Sequence, residues 1–388
     1  MTKTDPHSLA ISPVTKLINA GIDRDKAHRS VMPPLYLSTN FSFESLDAKP
    51  DYDYARRNHP GRETLAGILA DLEGGVGAVM TTSGLAALDL LWQDLGPNAH
   101  VIAPYDCYGG TQRLLNARHA QGLIRVSYVD MSDETAFDRL MDEKPKLVLI
   151  ETPSNPLMRV YDLSMLIHKA HNAQALVAVD NTFLSPVLQN PIAFGADFVA
   201  HSTTKYINGH SDVIGGALVF AHQDHVEKYR WWANAVGSTQ TAFDTYLTFR
   251  GVKTLFVRVH EQDQSARKIA AFLDDHKTVA KVHYPGLTSH PQHGLAKKQQ
   301  KGFGGMMSFE LKGGFDAVRS LCERIQLFTL AESLGGVESL IAHPATMTHA
   351  AMSPEALNLA GISPSLVRIS TGLEDPQDLI KALDEALR

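Results

Sequence analysis

One lysine stands out by its neighbours. Lys205 lies in "HSTTKYINGHSDVIGG", which begins at His201, among small hydroxyl residues and ahead of Gly215 and Gly216. Lysines are almost never fully buried unless paired, so an amine that follows the apolar run "DFVAHS" points to a nucleophile with a lowered pKa. Other stretches carry complementary chemistry. "ALVAVD" ends in Asp180, a carboxylate at the end of an apolar run. "TTSGLAAL" passes through Ser83, Gly84 and Leu85, where a glycine lets backbone N–H groups approach an anion closely. Ser202 and Thr204 add hydroxyl donors beside the lysine, and Tyr108 in "DCYGGTQR" offers a ring for stacking.

These residues need a scaffold that brings them together. Between residues 61 and 250, short apolar runs alternate with helix-length patterns: "GAVMTTS", "HVIAP", "LIRVSYVD", "KLVLIE", "ALVAVD", "DFVAHS" and "GGALVF". Several are too evenly apolar for one-sided burial, which predicts strands covered on both faces. The alternation predicts an α/β fold around a mostly parallel central sheet. Residues 1–60 read as an N-terminal arm with turns, 61–250 as the main domain, and 251–388 as a smaller C-terminal α/β domain. A helical stretch is expected from about Ala242 to His276, with Gly251 as its one breaker. In open α/β sheets ligands bind beyond the carboxyl ends of the strands, and that is where Asp180, Lys205 and the Ser83-Gly84 turn fall. A phosphate cradle, an amine nucleophile and a strand-end carboxylate together describe a pyridoxal 5'-phosphate (PLP) site. In it the lysine forms the Schiff base and the aspartate keeps the ring nitrogen protonated.

Composition excludes several other readings. With 42 acidic and 36 basic residues the net charge is −6, which leaves no electrostatic footprint for nucleic acid or anionic lipid. "MTKTDPHSLAIS" holds no apolar signal core and no run is long enough to span a membrane, so a cytoplasmic protein is expected. Cys107 and Cys322 allow one disulfide at most, and reduced thiols are expected. "GGVGAVM" precedes a strand, whereas a dinucleotide fingerprint follows one. His290, His293, His343 and His349 lack the carboxylate or thiolate partners of a metal site, so no metal is expected.

The ordered motifs "DYDYARR", "TTSGLAAL", "DCYGGTQRLL", "ETPSNPL", "VDNTFLSP", "HSTTKYINGHSDVIGG", "AESLGGVESLIAHPATMTH" and "VRISTGLED" run over the whole chain. They resemble the cystathionine γ-synthase branch of the Cys/Met metabolism family of PLP-dependent enzymes. The resemblance implies the aspartate aminotransferase-like fold, fold type I. It implies Lys205 as the Schiff-base lysine and proton carrier, Asp180 at the pyridine nitrogen, and Tyr108 over the ring and near the incoming amine. Gly84, Leu85, Ser202 and Thr204 would contact the phosphate, and Tyr54 and Arg56 would reach the phosphate of a neighbouring subunit. Arg368 would grip the substrate α-carboxylate. Glu332 before Ser333 resembles enzymes that work at the γ-carbon, where typical bacterial β-lyases carry an aromatic residue. Arg57 and Arg113 are surplus cations that suit the extra carboxylates of a succinyl group and of cysteine. The family pattern usually has Gly-Asn before a proline where this chain has Asn58-His59-Pro60, so no role is carried onto Asn58 or His59.

The implied activity is replacement of the acyl group of O-succinylhomoserine by L-cysteine, giving L-cystathionine and succinate. The implied assembly is a homotetramer, a dimer of dimers with shared sites. A γ-lyase or an O-acetylhomoserine sulfhydrylase of the same family is the near alternative, and a non-catalytic α/β binding protein the distant one.

Overall fold

The computed structural model describes residues 11–22, 24–350 and 352–388. A seven-stranded sheet holds β1 (Gly77–Thr81), β2 (Ala99–Pro104), β3 (Ile124–Val129), β4 (Leu147–Glu151), β5 (Leu176–Asp180), β6 (Phe198–His201) and β7 (Gly216–Phe220). Its order is β1-β7-β6-β5-β4-β2-β3, and only β7 runs against its neighbours. All seven apolar runs of the main domain thus became strands of a mostly parallel sheet, as expected.

The even hydrophobicity of these strands has its reason in two-sided burial. Val148, Ile150, Val177 and Val179 face one way, into a core with Tyr161, Leu166 and Ile167. Leu147, Leu149 and Ala178 face the other way, into a core with Leu88, Leu91 and Leu115. Each buried aliphatic side chain stabilises by about 1.5–3 kcal/mol, so a shift by one residue, which would exchange the two faces, is disfavoured many times over.

A second sheet follows, of β8 (Val279–His283), β9 (Met306–Leu311), β10 (Thr329–Leu330), β11 (Leu340–Ala342) and β12 (Leu366–Ser370), in the order β10-β11-β12-β9-β8. It packs on the helices Leu255–Asp275 and Pro376–Leu387 through Ile269, Leu273, Phe309, Ile369 and Leu383. The stretch from Ala242 onward is two helices, Ala242–Val252 and Leu255–Asp275, not one. Arg258 accounts for the break. Its guanidinium donates to the carbonyl of Gly251 at 2.9 Å, taking up a helical acceptor at the junction, and to that of Tyr206 in the loop after Lys205 at 2.8 Å. Among the described residues before residue 60 there is one short helix, Pro13–Asn19, and the rest is irregular.

Cys107 is buried, Cys322 is half-buried, and the two are not bridged. No helix among the described residues is long and apolar enough to cross a membrane.

Candidate active site

The carboxyl ends of β4, β5 and β6 open on a cavity of about 300 Å³. Ten of the fourteen residues singled out in the sequence line it: Gly84, Leu85, Tyr108, Asp180, Ser202, Thr204, Lys205, Glu332, Ser333 and Arg368. Local folding puts each of them there. Ser83 caps the helix Gly84–Trp92 by accepting from the Ala86 N–H at 3.1 Å, a good match of residue type to position. That leaves the first backbone amides of the helix facing the cavity. A Cβ at Gly84 would sit 2.9 Å from the Ser202 Cβ, so only glycine lets this turn and the β6 end meet. Ser202 in turn donates its N–H to the Thr182 hydroxyl at 2.9 Å, and the Thr204 hydroxyl accepts from Gly215 N–H at 2.9 Å. The turns on either side of the lysine are therefore fixed.

Lys205 donates to the Ser333 hydroxyl at 2.8 Å. Burial and then the charge of Arg368 pull its pKa down to about 8, with Glu332 opposing. An amine of this kind is a usable nucleophile and base near neutral pH. Arg368 lies on β12, of the second sheet, and is only 3% exposed. It donates to the Asn155 side-chain oxygen at 3.0 Å and to the Ser333 carbonyl at 2.9 Å. Ser333 therefore ties both cations together, and it does so in a left-handed conformation with φ at 85°. That conformation costs a non-glycine residue on the order of 1–3 kcal/mol.

Asp180 ends β5 and accepts from Thr182 N–H at 3.0 Å. Burial raises its pKa and the Thr182 hydrogen bonds oppose that. No ion pair among the described residues answers its charge. Tyr108 begins the helix Gly109–Ala120, and its ring folds back over the first turn; a Cβ at Gly110 would come within 2.4 Å of that ring.

The donor set fits PLP. Backbone amides of Gly84 and Leu85 with the hydroxyls of Ser202 and Thr204 suit a phosphate. Lys205 suits an aldehyde carbon, Asp180 a protonated ring nitrogen, and Arg368 a carboxylate.

Four residues do not line this cavity. Tyr54 is 48% exposed, and Arg56 lies over its ring and donates to the carbonyl and side chain of Asn234 at 2.6 and 2.9 Å. Arg57 pairs with Asp53 on the surface and borders a separate cavity with Asn58, His59 and Arg62. Arg113 is exposed on the helix Gly109–Ala120. His59 caps the helix Pro60–Glu73, its Nδ1 accepting from Gly61 N–H at 3.2 Å, while Nε2 meets the Tyr36 carbonyl at 2.9 Å. The departure from the family pattern at residue 59 thus sits at a helix cap.

Sequence reasoning missed Glu151, Asn155, Thr182 and Phe183, all of which line the cavity. Glu151 was detectable by the rule that found Asp180, because it too ends a strand. Nothing in the local pattern of Asn155 or Phe183 marks them, since both sit in loops shaped by contacts distant in sequence.

The model of the Cys/Met metabolism PLP-dependent enzymes matches residues 14–388. The cystathionine γ-synthase of Escherichia coli (strain K12) is 48% identical over 96% of this chain and 97% of its own. The crystal structure of cystathionine γ-synthase from Xanthomonas oryzae pv. oryzae in complex with cystathionine superposes with a TM-score of 0.96 at 50% identity, covering 98% of both chains. A cystathionine γ-lyase of Dictyostelium discoideum is 42% identical over 99% of each chain.

Proposed function

The chain belongs to the Cys/Met metabolism PLP-dependent enzyme family, and from that premise we propose that it is a cytoplasmic cystathionine γ-synthase. It replaces the acyl group of O-succinylhomoserine by L-cysteine and yields L-cystathionine and succinate. The observation that carries this reading is full-length identity of 48–50% to the γ-synthases of Escherichia coli and Xanthomonas oryzae, above the 42% to the Dictyostelium γ-lyase and the 43% to the Lactococcus β-lyases. The fold is fold type I of the PLP enzymes. Residues 61–250 form its cofactor domain, 251–388 its C-terminal domain and 1–60 its arm.

Bound in the cavity, PLP supplies a protonated ring that accepts electron density from the substrate carbons and so acidifies the hydrogens at Cα and Cβ. The chain's residues do the rest. Gly84, Leu85, Ser202 and Thr204 would hold the phosphate, Asp180 would keep the ring nitrogen protonated, and Tyr108 would stack on the ring. Arg368, pinned by Asn155 and the Ser333 carbonyl, presents its guanidinium edge to the α-carboxylate. Lys205 would anchor the cofactor at rest. When freed as an amine it takes the Cα proton at Nζ and then assists loss of a Cβ proton. Glu332 and Ser333 border the space beside Lys205 and bear on the γ-carbon. The net change breaks one Cγ–O bond and forms one Cγ–S bond, and the thiol proton is released.

Tyr54 and Arg56 serve the neighbouring subunit's site in a dimer, two of which make a tetramer. Both are exposed and neither lines the cavity of its own chain, which supports this. So do the exposed apolar side chains of Val31, Leu37, Phe43 and Leu46 in the same N-terminal segment.

The test is a comparison of O-succinyl- with O-acetylhomoserine, with cysteine in excess and products identified by mass. L-Cystathionine and succinate should dominate, with the succinyl ester preferred. Faster breakdown of cystathionine itself, or faster use of sulfide with the acetyl ester, overturns the reading in favour of a lyase or a sulfhydrylase. Arg57→Ala and Arg113→Ala should each lower kcat/KM for the succinyl ester or for cysteine by about ten- to a hundredfold, the loss of one charge-assisted hydrogen bond. The acetyl ester should suffer much less. If both variants treat the two esters as the wild type does, neither arginine reads the distal carboxylate.

A further inference from the structure

Glu151 ends β4 beside Asp180 at the end of β5, and the two are register partners on adjacent parallel strands. Their side chains leave the same face of the sheet, and both line the cavity. Glu151 is buried, at 7% exposure. No lysine, arginine or histidine among the described residues forms an ion pair with it. The groups that act on it most are acidic or neutral, while the cations Lys205 and Arg368 line the same cavity without pairing with it. Asp180 comes from β5, Asp106 and Cys107 from the loop after β2, and the backbones of Tyr108 and Asn155 complete its surroundings. The charge of Asp106 is already answered by Arg159 at 2.7 Å and by the Tyr161 hydroxyl at 2.9 Å. Burial first, then the Asp180 and Asp106 carboxylates, push the Glu151 carboxyl well up, against the two backbone hydrogen bonds. Like charges at adjacent buried positions do not both persist; one carboxyl keeps its proton.

Glu151 also has a mechanical role. Its Oε2 accepts from the Tyr108 N–H at 2.8 Å. Tyr108 is the N-cap of the helix Gly109–Ala120, and that helix has no side-chain cap of its own. Glu151 instead holds the N–H of the cap residue itself, as the glutamate of a capping box does, and that residue's ring borders the cavity. A neutral carboxyl can do this, because its carbonyl oxygen still accepts.

From this juxtaposition we infer that Glu151 is a positioning residue carried as the neutral acid. One oxygen fixes the Tyr108 backbone, and the retained proton leaves Asp180 as the single anion of the pair. A second buried anion beside Asp180 would make ionisation of Asp180 itself costlier. This rests on the reading of Asp180 and Tyr108 as cofactor-facing residues, so the test separates the two ideas.

The first measurement uses apoprotein with carboxyl-¹³C-glutamate, by infrared spectroscopy at neutral pH. A labelled protonated-carboxyl band should be present in the wild type and absent from Glu151→Gln. A wild type without that band overturns the proposal. The second uses holoenzyme. Glu151→Ala should lower kcat/KM by about tenfold or more and weaken the circular dichroism of the visible cofactor band, while Glu151→Gln, which keeps a neutral acceptor, should recover most of both. Glutamine as damaging as alanine overturns the proposal, because the ionised carboxylate would then be the working form. If the band is present but no variant or wild-type protein shows a visible cofactor absorption, the cofactor reading fails while the protonation of Glu151 stands.

Discussion

Lys205→Ala should lose turnover by several orders of magnitude while still binding PLP. The variant removes the covalent anchor and the proton carrier together, and a positioned acid–base group alone is worth roughly 10²–10⁴ in rate. The set proposed to hold the phosphate, Gly84, Leu85, Ser202 and Thr204, is untouched, so the cofactor should remain, with its absorption shifted to that of the free aldehyde. Lys205 packs at the wall of a cavity, so a shorter side chain there opens space already present. The folded structure should survive, which the thermal midpoint checks. The lowered pKa gives an independent arm. An ordinary lysine stays protonated up to about pH 10.4, whereas Lys205 falls to about 8. Its amine is therefore free above about pH 8 and becomes protonated as pH falls through that value. In apoprotein, acylation of Lys205 followed by mass should rise through a midpoint near 8, well below that of the exposed lysines. Turnover within tenfold of the wild type would remove Lys205 from the mechanism, and a midpoint near that of the exposed lysines would remove the tuned amine.

The residues that the sequence disclosed share one property: each stands at a junction where periodicity ends. Asp180 closes an apolar run, Lys205 follows one, and Gly84 sits between a strand and a helix. Local pattern locates such ends well, because two-sided burial makes a parallel strand an unbroken apolar run. What local pattern cannot show is which distant loops fold over those ends. Asn155 orients Arg368 across a sequence separation of 213 residues, and Glu151 reaches Tyr108 across 43. The break between the helices Ala242–Val252 and Leu255–Asp275 has the same origin. Arg258 captures carbonyls from the loop after Lys205 and from the preceding helix at once, a tertiary bond with no local signature. Arg368 was legible only through resemblance, since "LVRIS" by itself reads as a strand with one charged residue.

Shared sites make the last prediction, and it separates this assembly from any arrangement in which each chain is self-sufficient. Arg56 projects from an irregular segment, 48%-exposed Tyr54 lies beneath it, and neither lines the cavity of its own chain. If Arg56 reaches a neighbour's phosphate, then Arg56→Ala and Lys205→Ala damage a given site from different chains. Each variant alone should be nearly inactive. In a mixed dimer, the chain that keeps Lys205 receives an intact Arg56 from its partner. That site is complete, and the opposite site carries both lesions. With random exchange in a two-fold dimer about half of the dimers are mixed, so about a quarter of all sites should recover. The experiment unfolds and refolds the two variants together and compares activity with each refolded alone, with mixed dimers confirmed by mass. A recovery near a quarter of wild-type activity is expected. Mixed dimers without any gain would mean that Arg56 acts on its own chain's site or on none, and that its contact with Asn234 is its whole function.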